Sequence, residues 1–375
     1  MNFIDFMGKI EDIININEGI KMDTQKYNIL IINPGSTSTK ISFFSNEEEK
    51  ISLNLKVPED VRSAEGVWDE YEFREKSIID FLESEDIKQI DAVVGRGGLL
   101  RSVEGGVYKV NEKMIIDARS NFQGEHVSNL GCVLAYNIAG KFSAESYIVD
   151  PVSVDEFEPV AYISGHPDIK RRALSHALNI HAAAYKVSKE IDKNIKSSSF
   201  VVAHLGGGIS IAAVKGGRII DVNDASSDGP FTPERTGGLP LQQFIEICFS
   251  GKYTRNEMKK FTMGSGGLKA YLGTSDAMEV ERMISEGDIY ASEIYYAMAY
   301  QIAKEIGAMG AVLNGNIDRI IITGGLAKSE LLMSRVSSKI NFLAPVIIIP
   351  GENEMLAMAS GALRILRKEE EVKEY

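Results

Sequence analysis

Residues 28–44 decide the fold. They read Asn28-Ile29-Leu30-Ile31-Ile32, then Asn33-Pro34-Gly35-Ser36-Thr37-Ser38-Thr39-Lys40, then Ile41-Ser42-Phe43-Phe44. Four consecutive apolar residues, three of them β-branched, have the length and chemistry of a buried strand. Residues 34–38 form a tight turn of small and hydroxyl-bearing residues, after which an extended pattern resumes. Such a turn exposes backbone N–H groups and hydroxyls on one concave surface, which suits a phosphate. Lys40 adds a positive charge at its exit. Read alone, the same letters also describe an ordinary Ser/Thr-rich hairpin turn.

The plan recurs. Ser199-Phe200-Val201-Val202-Ala203 is a second buried strand, His204-Leu205-Gly206-Gly207-Gly208 a glycine-rich turn, and residues 209–214 the returning strand. The start of the domain is duplicated in plan, though not in letters. Two such hairpins facing each other would clamp a polyphosphate between two domains. Further strands are read at 51–57 and 346–350, and buried ones at 90–94, 147–151 and 319–323. Helices are read at 67–84, 177–189, 289–312 and 355–366. In the first helix, Trp68, Tyr71, Phe73, Ile78, Ile79 and Phe81 form the expected buried face.

Composition bounds the function. At 375 residues two domains are the expectation, and 44% apolar content supports packed cores. A net charge of -12 argues against a nucleic-acid surface, but it leaves room for a locally basic cleft. Cys132 and Cys248 lie in apolar segments, as buried free thiols would in a reducing compartment. No apolar run approaches the roughly 20 residues a membrane span needs, and the first residues lack the basic start of a signal peptide. The expectation is a cytoplasmic soluble protein whose residues 1–27 form an extension, read as a short amphipathic helix.

Candidate site residues collect at strand ends, where α/β sheets bind ligands. Arg96 stands among glycines in Gly95-Arg96-Gly97-Gly98, with Arg101 as its local competitor. Its planar fork suits a carboxylate or phosphoryl oxygen. His126 precedes an apolar helix and reads either as a ligand-orienting group or as a cap. Asp150 ends a strand and is either a Mg²⁺-side carboxylate or a turn cap. Arg171, Arg172, Ser175 and His176 at one helix start read as an anion site, or as a capping serine with solvated arginines. Residues 224–239 form a Gly- and Pro-rich loop whose only cation is Arg235. Gly324 and Gly325 would let a base or ribose lie against backbone. Glu354 opens the last helix, where acids favour the dipole. Residues 264–267 and 273–276 are read as loops, and residues beyond Leu366 as a charged tail.

Together these pieces resemble the acetate kinase family. Residues 29–40 are similar to its first motif and residues 201–210, Val-Val-Ala-His-Leu-Gly-Gly-Gly-Ile-Ser, to its second. The resemblance runs from about residue 28 to residue 366, with details at 95–98 and 232–240 closest to the butyrate-specific members. It implies an α/β fold of two actin-like, ribonuclease H-like domains with a duplicated core and a nucleotide cleft between them. An acyl-substrate domain would span 28–175, with residues 355–375 returning to it, and a nucleotide-binding domain 176–354. It also implies ATP/ADP and Mg²⁺ as cofactors, a short-chain carboxylic acid as substrate, and a homodimer, with no nucleic acid or membrane partner.

The carried-over catalytic residues are Asn33, Arg96, His126, His176 and Arg235. The nucleotide would be held by Ser36, Ser38, Lys40, His204, Gly206, Gly207, Gly208, Asp276, Gly324 and Gly325, and the metal by Asp150 and Glu354. Acetate kinases carry an arginine shortly after the aspartate matching Asp276, and this chain does not. They also carry valines after the arginine matching Arg96, where this chain has Gly97 and Gly98. The lost isopropyl groups lead to the expectation of a roomier pocket and a preference for butyrate or isobutyrate over acetate. Two rivals are a sugar kinase of the same superfamily, with Asp150 pressed into service as base, and an actin-like ATPase acting on protein partners.

Overall fold

The computed structural model describes residues 25–62 and 66–375. The expected extension therefore lies outside the described residues, apart from its last three. Strand β1 (Asn28–Pro34) turns into antiparallel β2 (Ser38–Ser45) and β3 (Glu48–Lys56), and lies parallel to β4 (Ala92–Arg96). β4 in turn pairs with β6 (Glu145–Val149), whose outer neighbour is β5 (Val107–Lys109). Ile29, Leu30, Ile31 and Ile32 are all fully buried because the sheet is covered on both faces. Leu30 and Ile32 enter a core with Ile78 and Phe81 of α1 (Tyr71–Ser84), Met114 of α2 (Glu112–Arg119) and Leu134 and Ile138 of α3 (Asn129–Phe142). Ile29 and Ile31 face the other way, onto Met355, Met358 and Leu363 of the last helix (Glu354–Leu366). A continuous apolar run is what period-2 alternation looks like when neither face meets water.

A small antiparallel pair, β7 (Ile163–His166) and β8 (Ile169–Lys170), stands apart, and the second large sheet repeats the plan of the first. β9 (Ser199–Leu205), β10 (Ile209–Lys215) and β11 (Arg218–Val222) form the antiparallel part. β12 (Arg319–Gly324) and β13 (Val346–Pro350) extend it in parallel on the other side of β9. The strand orders, β3-β2-β1-β4-β6-β5 and β11-β10-β9-β12-β13, match position by position apart from the extra β5. Val201, Ala203 and Leu205 pack on α9 (Ile289–Val312) and α10 (Glu330–Ile340). Phe200 and Val202 pack on α4 (Ala177–Glu190). The last helix, α11 (Glu354–Leu366), touches both the first sheet and α4, so these two helices abut between the two units.

Some expectations are corrected. In α1 the buried set is Tyr71, Arg74, Ile78, Phe81 and Leu82; Phe73 and Ile79 are only partly buried, and a charged residue takes a core position. Residues 241–285 hold four short helices, α5 (Leu241–Phe249), α6 (Arg255–Thr262), α7 (Gly267–Leu272) and α8 (Ala277–Ser285). The segment after α11 is no loose tail. Lys373 pairs with Tyr108 and donates to the Gly105 carbonyl, and the Tyr375 hydroxyl joins Asp117 and the Arg101 amide. Among the described residues no helix is long and apolar enough to cross a membrane.

One contact positions Arg96. A Cβ on Gly131 of α3 would lie 2.2 Å from the Arg96 carbonyl oxygen, and one on Gly95 would lie 2.1 Å from the Gly131 carbonyl oxygen. Helix and strand backbones therefore touch directly. Gly131→Ala should push α3 off β4, at a cost of about 1–3 kcal/mol, measurable by urea denaturation. Unchanged stability would show that the two backbones separate freely.

Candidate active site

The carboxyl ends of β1, β4, β9, β12 and β13 converge. Asn33, at the end of β1, donates from Nδ2 to Glu354 Oε2 at 2.8 Å. Two residues upstream, Glu352 Oε1 lies 3.5 Å from Nε2 of His204, at the end of β9. The short segment between β13 and α11 thus touches both hairpins. At the first turn Ser36 is exposed and Ser38 half-buried. At the second, a Cβ on Gly206 would lie 3.0 Å from Glu352 Oε1, while Gly207 and Gly325 face open space. Gly324 has φ +95°, and a Cβ there would strike the Leu205 carbonyl at 2.3 Å, so only glycine lets β12 pass so close to β9.

Arg96 is buried, with Nη1 donating to the carbonyls of Asp150 and Gly97 at 3.3 and 3.4 Å. Arg101 is committed to Asp117 at 2.6 Å, which leaves Arg96 as the site cation. Arg235 donates from Nη1 to the Ala225 carbonyl at 2.7 Å. A Cβ on Gly208 would sit 2.6 Å from that Nη1 and 3.2 Å from His176 Cε1, so Gly208 is the gap through which Arg235 reaches His176. His176 and His204 stack with ring centroids 4.2 Å apart. Among the described residues, Arg235 Nε and His204 Nδ1 are buried with no hydrogen-bond partner. Buried groups of this kind are expected to meet a ligand.

His176 and His126 are held neutral at ordinary pH. Burial, then the charges of His204, Arg235 and Arg96, push His176 down to about 3. Ser210 Oγ accepts the His176 backbone N–H at 3.3 Å and lies 2.9 Å from Nδ1. Its own hydrogen is then available to Nδ1, an arrangement that leaves the ring proton on Nε2. Burial and Arg96 likewise lower His126. Its Nδ1 accepts the Ser128 backbone N–H, so its proton also sits on Nε2.

Other expected residues do different work. Asp150 Oδ1 accepts from the Gly106 amide at 2.8 Å and pairs with His181 Nδ1 at 2.7 Å, while His181 Nε2 pairs with Glu156 at 3.1 Å. Oδ1 of Asp150 thus serves a buried ion triad. Among the described residues no group of three acids, histidines or cysteines could hold a metal. Arg171 pairs with Asp221 and Arg172 with Asp224, which removes both from the expected anion site. Asp276 caps α8 by accepting the Met278 amide, and Lys40 is an exposed residue of β2 opposite Asn33. A Cβ on Gly97 would strike Pro151 at 2.4 Å, and one on Gly98 would strike Asn129 at 2.3 Å. These glycines serve close packing; the space their side chains would fill is already taken, so they open no acyl pocket.

Sequence reasoning missed His181, Ser210, Glu352, Thr232 (which donates to the Gly207 carbonyl at 2.7 Å) and Arg74.

The triad sets a pH dependence. Burial alone would lower His181, but Asp150 and Glu156 outweigh it and raise it from 6.5 to about 10. Its contribution to stability is full below 6.5 and lost as pH rises through about 10. Burial opposes the shift of Glu156, but His181 and the Ile219 and Gly105 amides hold it at about 2. Its contribution is full above the ordinary 4.5 and lost as pH falls through about 2. His181→Gln should cost about 3–5 kcal/mol at neutral pH by leaving two buried carboxylates without their cation. Imidazole nitrogen NMR should find His181 doubly protonated and His176 neutral at that pH; the reverse pattern would overturn both assignments.

A family profile described as the acetokinase family matches residues 169–360. The chain is 48% identical to butyrate kinase 2 of Clostridium acetobutylicum over 354 residues, spanning 93% of this chain and 99% of that relative. Among solved structures, an acetate kinase of Porphyromonas gingivalis superposes with a TM-score of 0.74 at 17% identity, over 91% of this chain and 100% of that one. A propionate kinase of Francisella tularensis gives 0.70 at 18% identity, over 89% and 98%. These superpositions establish the fold as the actin-like ATPase architecture with its duplicated core. The chain belongs to the acetokinase family and is a carboxylate kinase, a phosphotransferase whose acceptor is a carboxyl group.

Proposed function

We propose that this chain transfers the γ-phosphoryl group of ATP, reversibly, to a short-chain fatty acid, giving acyl phosphate and ADP, with butyrate, isobutyrate or a similar branched acid as acceptor. The observation that carries the reading is the convergence of two arginines and two neutral histidines between hairpins that share one linking segment. The acyl preference rests on the relative of 48% identity and no longer on Gly97 and Gly98.

A carboxylic acid of ordinary pKa about 4 is already an anionic nucleophile at neutral pH. The catalyst must bring it against an anionic phosphate, which calls for positive charge and in-line positioning. Arg96 and Arg235 hold the carboxylate and the transferring group. Nε2–H of His176 donates to an equatorial phosphoryl oxygen without adding a proton that could be lost, and His126 orients the acid. A carboxylate oxygen attacks the γ-phosphorus, the bond to the bridging oxygen breaks, and ADP leaves with that electron pair. Residues 28–175, with α11 returning, act as the acyl-substrate lobe, and residues 176–354 as the nucleotide lobe.

Mg²⁺ takes one or two carboxylates together with substrate phosphates and waters. Glu354 fits that role: Asn33 fixes one oxygen, while the other has only a 3.5 Å contact with Asn179. The ion would neutralise phosphate charge.

We place the enzyme in the cytoplasm as a homodimer. Helix α5 buries no residue, and Leu241, Ile245 and Phe249 repeat at one-turn spacing on an exposed face. Phe249 is 87% exposed, and apolar surface of this kind marks an interface. Phe249→Glu should convert a dimer to monomer in light scattering; a monomeric parent enzyme would overturn the assembly.

Hydroxylamine trapping of acyl phosphate should report turnover with butyrate above acetate and none with hexoses. Arg96→Ala should lower kcat by about 10²–10³ with unchanged folding by circular dichroism. Near-normal turnover in that variant would reject Arg96, and a clear acetate preference would reject the butyrate reading.

A further inference from the structure

Arg74 lies on α1, away from the residues that the carboxylate chemistry calls on, and its side chain is 1% exposed. Nε and Nη2 donate to Glu70 Oε2 at 3.0 and 2.5 Å. Nη1 donates to the Ser38 carbonyl at 3.1 Å and to Thr39 Oγ1 at 2.7 Å, and Nη2 also donates to the Gly35 carbonyl at 2.9 Å. A guanidinium has five N–H bonds, and all five are spent on one carboxylate and the backbone and hydroxyl of a single turn.

The turn so gripped is the first hairpin's glycine-serine loop. Its Thr37 carbonyl accepts from the Val57 amide at 3.0 Å, and its Ser38 carbonyl also accepts from the Gly35 amide at 2.7 Å. In a trans peptide the C=O and N–H point in opposite directions. Capturing the Gly35 carbonyl on the α1 side aims the Ser36 N–H the other way, and capturing the Thr37 carbonyl does the same for the Ser38 N–H. The second hairpin shows the same device in smaller form, with the Thr232 hydroxyl holding the Gly207 carbonyl.

We propose that Arg74 is a positioning residue for the nucleotide: it draws the carbonyl oxygens of Gly35 and Ser38 out of the cleft, so that the amide of Ser36 faces a phosphate beside that of Ser38, which the Val57 amide turns the same way. Glu70 keeps the buried cation paired. A buried ion pair of this sort adds little net stability but fixes geometry, and the geometry here is that of a phosphate-binding nest. The proposal rests on the kinase reading above.

The test uses Arg74→Lys, which keeps the charge and loses the planar fork, in the full chain. Mg-ADP affinity by calorimetry and the KM values for ATP and butyrate are measured beside the thermal midpoint. The expected result is an about tenfold weaker Mg-ADP affinity and a raised KM for ATP, a shift equal to about one lost hydrogen bond to a charged group, with the KM for butyrate unchanged. A role in stability alone would lower the midpoint and leave both KM values in place, which overturns the proposal; an equal rise in both KM values overturns it too. If Arg74→Lys does not fold, Thr39→Val removes one of the four acceptor atoms and should still weaken Mg-ADP selectively; no change there is decisive against the idea. A parent enzyme that fails to bind Mg-ADP at all would refute the kinase reading itself, a result the variants cannot mimic.

Discussion

Everything in the cleft depends on the three residues between β13 and α11 and on Glu354, which opens that helix. Glu352 reaches His204 of the second hairpin, and Glu354 accepts from Asn33 of the first. Gly351 pairs with Gly324 at φ values of +98° and +95°, so the segment can leave β13 and turn into α11 without a side chain in the way. Because α11 packs on the first sheet while β13 belongs to the second, this crossing is where the duplicated halves are tied chemically as well as covalently. A shift of the segment would move one carboxylate relative to each hairpin. The distance between the two turns, which a polyphosphate must bridge, would change with it.

The charge arrangement follows from the problem posed by two anions. The chain carries a net charge of -12, yet the convergent side chains are Arg96, Arg235 and imidazoles kept neutral by burial and by those same arginines. In the proposed reaction a permanently charged guanidinium would attract the acid, and a neutral imidazole would donate a hydrogen bond without repelling its neighbours. Were His176 charged, it would stand stacked on His204 and beside Arg235 as a third cation in a desolvated space. Its depressed proton affinity is therefore part of the design of the pocket: fixed cations supply attraction, and neutral rings supply direction.

The duplicated plan was legible because both central strands are apolar on consecutive residues, a pattern that only a sheet covered on two faces allows. The turns were legible because their glycines and hydroxyls interrupt that pattern at the same place in each half. Three kinds of information were not. Arg74 and His181 are charges in buried positions, and a helical pattern treats charges as solvated; their partners Glu70 and Asp150 give no sign in the letters of facing inward. Gly97 and Gly98 were read as space vacated, whereas Pro151 and Asn129 fill it, and occupancy from a distant segment is invisible in a local reading. Helix α5 buries none of its residues against the described residues, so its apolar pattern could not be matched to a core.

The buried charges share a logic that separates them from the apolar cores. Arg74 takes carbonyls of the first hairpin's turn. His181 binds Asp150, whose own carbonyl accepts from Arg96 and whose φ is +40°. Arg74 acts directly on backbone oxygens of its turn, whereas His181 holds the side chain of a residue whose backbone oxygen Arg96 engages. Apolar packing can bring a strand to its neighbour, but it cannot choose which way a peptide plane faces in a turn, because both orientations bury similar surface. A buried cation can, since only one orientation satisfies it and the wrong one leaves a desolvated charge unpaired. In this fold the aliphatic cores set where the strand ends lie, and the ionic clusters beneath them set how the peptides there are turned.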